Sequence, residues 1–201
     1  MSSSKNAIIV GGSLGGLFAG IVLKRLGYKV TIFERSPTPL LHDQGAGIVA
    51  GGDTLEFLTR FDKTKREIAV TSSVRHYLNK KGEEIRREEW PQKMTRYQNL
   101  TSRVDRSWDL LYHVLRANFD GVSSDYVRAP EDTGEARYEY GCTVTAIKED
   151  ENSAEMIVTY QDREKHERIA KTSRVFAADG PSSTIRQLLL PQIRRNYAGY
   201  V

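Results

Sequence analysis

The chain of 201 residues carries a formal net charge of +4 and a pI of about 9.1, enough for one good core or one domain plus part of another. The charge is mild and forms no basic stripe: lysines and arginines are mixed with acids over Lys80–Glu89 and Asp162–Lys171, a solvated strand and hairpin surface, so a nucleic-acid partner is not expected. Its single cysteine, Cys142, excludes an internal disulfide, fits a reducing compartment and reads as a small buried hydrophobe.

The start, Met-Ser-Ser-Ser-Lys-Asn, has no apolar signal region, and no apolar run reaches membrane-spanning length, so a soluble, cytoplasmic protein is expected. Ala7–Val10 is a short apolar, β-branched run of the kind buried on both faces of a parallel sheet. Gly11, Gly12, Gly15 and Gly16 break it. From Leu17 the apolar residues Ile21, Leu23 and Leu26 fall at helical spacing, and Gly27 stands where a helix end favours positive φ. Val30–Phe33 is a second buried strand. This βαβ unit gathers unpaired backbone N–H groups and the positive end of a helix dipole at one point, which suits a pyrophosphate.

Against the pattern Gly-x-Gly-x-x-Gly the residues are Gly11, Ser13 and Gly16, with the middle glycine replaced. The Cβ of Ser13 stands where backbone approaches phosphate, and its hydroxyl offers a compensating donor. Glu34 ends the second strand about 20 residues after the turn, where a carboxylate accepts hydrogen bonds from ribose hydroxyls and repels a 2′-phosphate. FAD or NAD is therefore preferred to NADP at this site.

Farther along, Pro37 and Pro39 lie in a loop, and Gly45-Ala46-Gly47-Ile48 is a second place where backbone could lie against a ligand. A helix is expected from Asp53, a β-hairpin from Val74–Asn79 and Glu84–Glu89, and a helix opened by Ser107 with an apolar stripe of Leu110, Leu111, Val114, Leu115 and Phe119. Arg137–Lys148, Glu155–Gln161 and Lys165–Ile169 read as an antiparallel meander. Arg174–Ala178 is a last buried strand, ending in Asp179-Gly180-Pro181, with Ser182 or Ser183 capping a helix. Asp179 offers a carboxylate to a hydroxylated cofactor chain, or simply a turn and cap. His42, His76, His113 and His166 share no metal-ligand spacing and read as surface or half-buried residues; no side-chain catalyst can be named.

In this order the motifs resemble the FAD-dependent aromatic hydroxylases, single-component flavoprotein monooxygenases, and most closely their dihydroxypyridine-hydroxylase-like and salicylate-hydroxylase-like branches. The residues that carry the likeness are Val10 through Leu17, Phe33-Glu34-Arg35, Gly45-Ala46-Gly47-Ile48, Ser107 through Tyr112, and Ala178 through Arg186. The resemblance implies an α/β fold: a Rossmann-type FAD-binding βαβ sheet with an inserted antiparallel β-meander and hairpin. It implies that the first turn, with Gly12 and Leu14, holds the FAD pyrophosphate, that Glu34 with Arg35 beside it holds the adenosine ribose, and that backbone near Val144 borders the adenine. It places Asp179-Gly180 near FAD and the path of NADH or NADPH, and implies a small aromatic or heteroaromatic substrate, with a homodimer as one assembly of the full-length family.

Ser107 occupies a slot where many relatives have an arginine near the flavin, and Arg103-Val104-Asp105-Arg106 before it reads as a short insertion. After Asn196–Val201 the family would continue into a substrate-facing sheet and a Gly-Asp motif on the flavin side. The expectation is one incomplete FAD-binding domain over residues 1–201, with the substrate-facing region starting after about residue 190, the C-terminal substrate portion missing, and a truncated chain inactive alone. The alternatives are an NAD-binding dehydrogenase and a non-catalytic dinucleotide-binding module.

Overall fold

The computed structural model describes residues 5–41, 52–95, 107–131 and 135–193. The chain divides into two compact units, Met1–Leu41 with Asp132–Val201, and His42–Glu131.

The first unit begins with β1 (Asn6–Val10), α1 (Leu14–Arg25) and β2 (Lys29–Glu34). β1 and β2 pair in parallel from Asn6↔Lys29 to Val10↔Phe33. Ile9 and Ile32 are fully buried, as is Leu17 on α1. Each such side chain contributes about 1.5–3 kcal/mol through removal from water. Gly16 and Gly20 share the buried side of α1 with Leu17 and Ile21, so backbone can approach the sheet, and Lys24 and Arg25 complement the dipole in the last turn.

The second unit holds α2 (Gly52–Phe61), β3 (Ala69–Leu78), β4 (Glu84–Thr95) and α3 (Ser107–Asp120). β3 and β4 form an antiparallel hairpin longer than its sequence signal, and Asn79 Oδ1 closes its turn by accepting from the N–H groups of Lys81 and Glu83. The apolar stripe of α3, Leu110, Leu111, Val114, Leu115 and Phe119, is buried as expected, and the polar residues Asp109, His113, Arg116 and Asn118 are buried beside it. Arg116 donates to Asp120 at 2.9 Å and to the Tyr112 hydroxyl at 2.8 Å. Burial works against its charge, but the Asp120 carboxylate outweighs it and holds the guanidinium above its ordinary pKa. His113 lies in the core rather than at the surface, its ring 4.5 Å from that of Tyr126.

The chain re-enters the first unit with β5 (Ala136–Tyr140), β6 (Thr143–Glu149), β7 (Met156–Gln161), β8 (Glu167–Thr172), β9 (Arg174–Ala177) and α4 (Thr184–Leu189). The parallel sheet has the order β5-β2-β1-β9, and β6-β7-β8 is the antiparallel meander. Two expectations are corrected here. β9 is not a buried strand: Arg174, Phe176 and Ala177 are exposed and Val175 is half-buried. Arg137–Lys148 is not a single meander strand, because Gly141 at φ +68° breaks it into β5, beside β2, and β6, in the meander. A core of Ile8, Val10, Phe33, Cys142, Val144, Val158 and Ile185 joins the meander to the parallel sheet, with Phe33 stacked on Tyr160 at 4.3 Å. No helix among the described residues is long and apolar enough to cross a membrane.

Candidate functional site: the glycine turn after the first strand

The carboxyl ends of β1, β2 and β9 meet at one edge of the parallel sheet, where open α/β sheets bind ligands. Gly11 follows β1 at φ +105°, and a Cβ there would run into the Ala178 carbonyl and the Asp179 Cα. Only glycine satisfies both the left-handed backbone and the close approach. Gly16 is required for another reason: its Cβ would collide with the Gly11 carbonyl oxygen. Gly15, by contrast, has open space where a Cβ would stand.

Ser13 is the N-cap of α1 at φ −78°, ψ −171°, extended backbone open to any residue, so the replaced middle glycine brings no backbone strain. Its hydroxyl makes no capping hydrogen bond. The first helical bond runs from the Leu17 N–H to the Ser13 carbonyl at 3.1 Å, which leaves the N–H groups of residues 13–16 without intrahelical acceptors. No acidic residue occupies the first turn of α1. Donors and dipole together favour an anion there.

Glu34 is tied into the same turn. Its Oε2 accepts from the Gly12 N–H at 2.7 Å and its Oε1 from the Ser36 N–H at 2.8 Å, with the residue only 8% exposed. An ionised carboxylate has about four acceptor positions, so two bonds leave room for two hydroxyl donors. The donor set fits an adenosine diphosphate: N–H groups for phosphate, and a carboxylate for ribose. Arg35, next in the chain, is exposed.

Asp179 and Gly180 follow β9 beside Gly11, but here the carboxylate is occupied as a cap. Asp179 Oδ1 accepts from the Ser183 hydroxyl at 2.6 Å and Oδ2 from the Ile185 N–H at 3.1 Å, while Ser183 Oγ accepts from the Arg186 N–H. Val144 has its side chain in the core, at 4% exposure. Ser107 opens α3 in the second unit. Gly45, Ala46 and Gly47 lie outside the described residues. Among the described residues no group of His, Cys, Asp and Glu could hold a metal ion.

One residue at the turn has no signal in the sequence. Tyr138 on β5 donates its hydroxyl to the Gly12 carbonyl at 3.0 Å, and its ring lies where a Gly12 Cβ would be. It reaches the turn because β5 pairs with β2, with Tyr138 opposite Ile32. Periodicity cannot show that pairing across so much intervening chain.

The comparisons agree with this geometry. A family model described as an FAD binding domain matches residues 4–197. The 2,6-dihydroxypyridine 3-monooxygenase of Paenarthrobacter nicotinovorans is 29% identical over 194 residues, covering 96% of this chain and 41% of that protein. The solved 2,6-dihydroxypyridine-3-hydroxylase from Arthrobacter nicotinovorans superposes with a TM-score of 0.70 at 27% identity, over 98% of this chain and 42% of that one. Aklavinone-11 hydroxylase, solved in a ternary complex with FAD and aklavinone, shares the fold with a TM-score of 0.66 at 20% identity, over 94% of this chain and 35% of that one. This chain thus spans about two fifths of the length of the 2,6-dihydroxypyridine relatives. It belongs to the FAD binding domain family.

Proposed function

We propose that the chain is the FAD-binding portion of an NAD(P)H-dependent flavoprotein monooxygenase that hydroxylates a small aromatic or heteroaromatic molecule, acting in the cytoplasm. The observation that carries the reading is the Glu34 carboxylate bonded to the Gly12 N–H, which sets a ribose acceptor beside an anion-binding helix start. In this reading the N–H groups of Ser13, Leu14, Gly15 and Gly16 hold the pyrophosphate and Glu34 the ribose hydroxyls. Arg35, the Gly45-Ala46-Gly47 segment, Ser107, the backbone of Val144, and Asp179 with Gly180 complete the proposed cofactor contacts. The chemistry that FAD supplies when bound is electron transfer from NADH or NADPH and oxygen insertion. These residues bind and orient; hydroxylation belongs to the whole protein. A homodimer is the assembly to test.

Titration of the purified chain with FAD and, separately, with NAD tests the proposal. FAD is expected to bind, and Glu34→Ala to weaken it tenfold or more, because loss of a charge-assisted acceptor costs about 1.5–3 kcal/mol. Binding of NAD without FAD would instead support the dehydrogenase reading. Full FAD affinity in Glu34→Ala would remove that residue from the site.

A further inference from the structure

Gly12 is held from two sides. Its N–H donates to Glu34 at 2.7 Å and its carbonyl accepts from the Tyr138 hydroxyl at 3.0 Å, while the Gly11 N–H donates to the Phe33 carbonyl at 2.8 Å. The peptide groups entering the turn are therefore anchored on β2 and β5, and the donors available to a ligand begin at Ser13. A trans peptide is planar, with its C=O and N–H pointing in opposite directions. The bond that fixes the Gly12 carbonyl thus also fixes the Ser13 N–H, directing it away from Tyr138. That N–H is the first of the four at the helix start.

We propose that Tyr138 is a positioning residue for the dinucleotide: its hydroxyl and ring hold the Gly12–Ser13 peptide so that the Ser13 N–H is presented, together with those of Leu14, Gly15 and Gly16, to the pyrophosphate. The inference rests on the FAD-binding reading above and adds the residue that preorganises its anion site. A loop fixed before binding loses less freedom when the ligand arrives, so the benefit appears in affinity for the phosphate-bearing part. Ser13 makes the requirement sharper. With a Cβ at the middle position the backbone cannot close further on the phosphates, and the direction of its N–H carries more of the recognition.

The test compares wild-type protein with Tyr138→Phe, which keeps the ring, by FAD titration and by competition of ADP and of adenosine against FAD, with apo melting measured alongside. Tyr138→Leu provides a second variant should the first fail to fold. The expected result is that FAD and ADP weaken about threefold to tenfold in Tyr138→Phe, the effect of one neutral hydrogen bond, while adenosine competes as before. A purely structural role would lower the melting temperature and weaken adenosine in parallel with ADP, and that outcome overturns the proposal. Equal FAD affinity in wild type and Tyr138→Phe overturns it as well, leaving the FAD reading intact. Wild-type protein that binds no FAD overturns both.

Discussion

Two carboxylates, Glu34 at the end of β2 and Asp179 just past β9, lie at the same edge of the parallel sheet, and they make different bonds. Asp179 turns inward on the helix that follows it: both oxygens accept from residues at the start of α4, and Ser183 completes the cap. Glu34 keeps one oxygen for its own turn, at the Ser36 N–H, and reaches with the other to a different element, taking the Gly12 N–H of the turn that precedes α1. The start of α1 is left with N–H groups and no side-chain cap, whereas that of α4 is closed by its own residues. A helix start without a side-chain cap keeps its N–H groups for an external acceptor, whereas a capped one has spent them on its own residues. Mutations at the α1 turn should therefore register in ligand affinity, and loss of the Ser183 cap of α4 in stability.

The largest effect is expected at Gly16, where the two properties coincide. In Gly16→Val the added side chain meets the Gly11 carbonyl, a backbone atom that cannot move aside without displacing the turn. Overpacking of this kind costs about 1–3 kcal/mol, and FAD affinity should fall with it. Gly15→Ala is the control. Its Cβ enters open space, and replacing a helical glycine gains about 0.5–1 kcal/mol. Denaturant unfolding of the apo proteins would show the pair moving in opposite directions; equal midpoints would mean that α1 does not need close approach at residue 16.

The βαβ unit around this turn is legible in the sequence because everything that specifies it is local: two β-branched runs, four clustered glycines, and a helical stripe ending at Gly27. The Asp179 turn was legible too, as a cap or a ligand, and the structure shows the cap. The place of β5 was not. Arg137–Lys148 alternates smoothly enough to pass for one strand, and the break at Gly141 redirects half of it to the parallel sheet. Tyr138 is hidden by the same circumstance, since its role exists only once β5 lies next to β2. In α3 the polar residues mimic a solvated face. Asn118 can be buried because it donates to Asp62 and the Val114 carbonyl and accepts from the Lys63 N–H, partners that no helical period reveals.

A smaller effect is expected from opening the closed turn. Ser183→Ala removes the acceptor of the Arg186 N–H and the donor to Asp179, and loss of such an N-cap costs about 0.5–2 kcal/mol. Thermal melting should show the loss, while FAD titration of the same variant stays within about twofold of wild type, which corresponds to a few tenths of a kcal/mol. A variant that melts normally but binds FAD poorly would mean that the Ser183 hydroxyl serves the cofactor and not the fold.

The smallest effect concerns a carboxylate that caps no helix, and it isolates what a self-satisfied turn contributes. Asp150, in the β6–β7 turn, has a side chain only 8% exposed and accepts from Lys171 Nζ at 2.7 Å, from the Asn152 N–H at 3.1 Å and from the Ser153 hydroxyl at 3.1 Å. The Lys171 ammonium foremost, then the Asn152 N–H, hold its pKa at about 2, below its ordinary 3.8. A carboxyl that is more acidic folded than unfolded stabilises the fold fully above its unfolded pKa, and that contribution fades as pH falls through the folded value. The window here runs from about pH 4 down to about pH 2. Lys171, raised above its ordinary 10.5 by the same pair, has the opposite sense: its contribution is complete below the unfolded pKa and is lost as pH rises through the higher folded value. Asp150→Asn should thus melt slightly lower at pH 7, show a flatter acid limb between pH 4 and pH 2, and bind FAD as wild type does. Parallel acid limbs in the two proteins would mean that the Asp150–Lys171 pair, whose lysine is 55% exposed, is too well solvated to contribute.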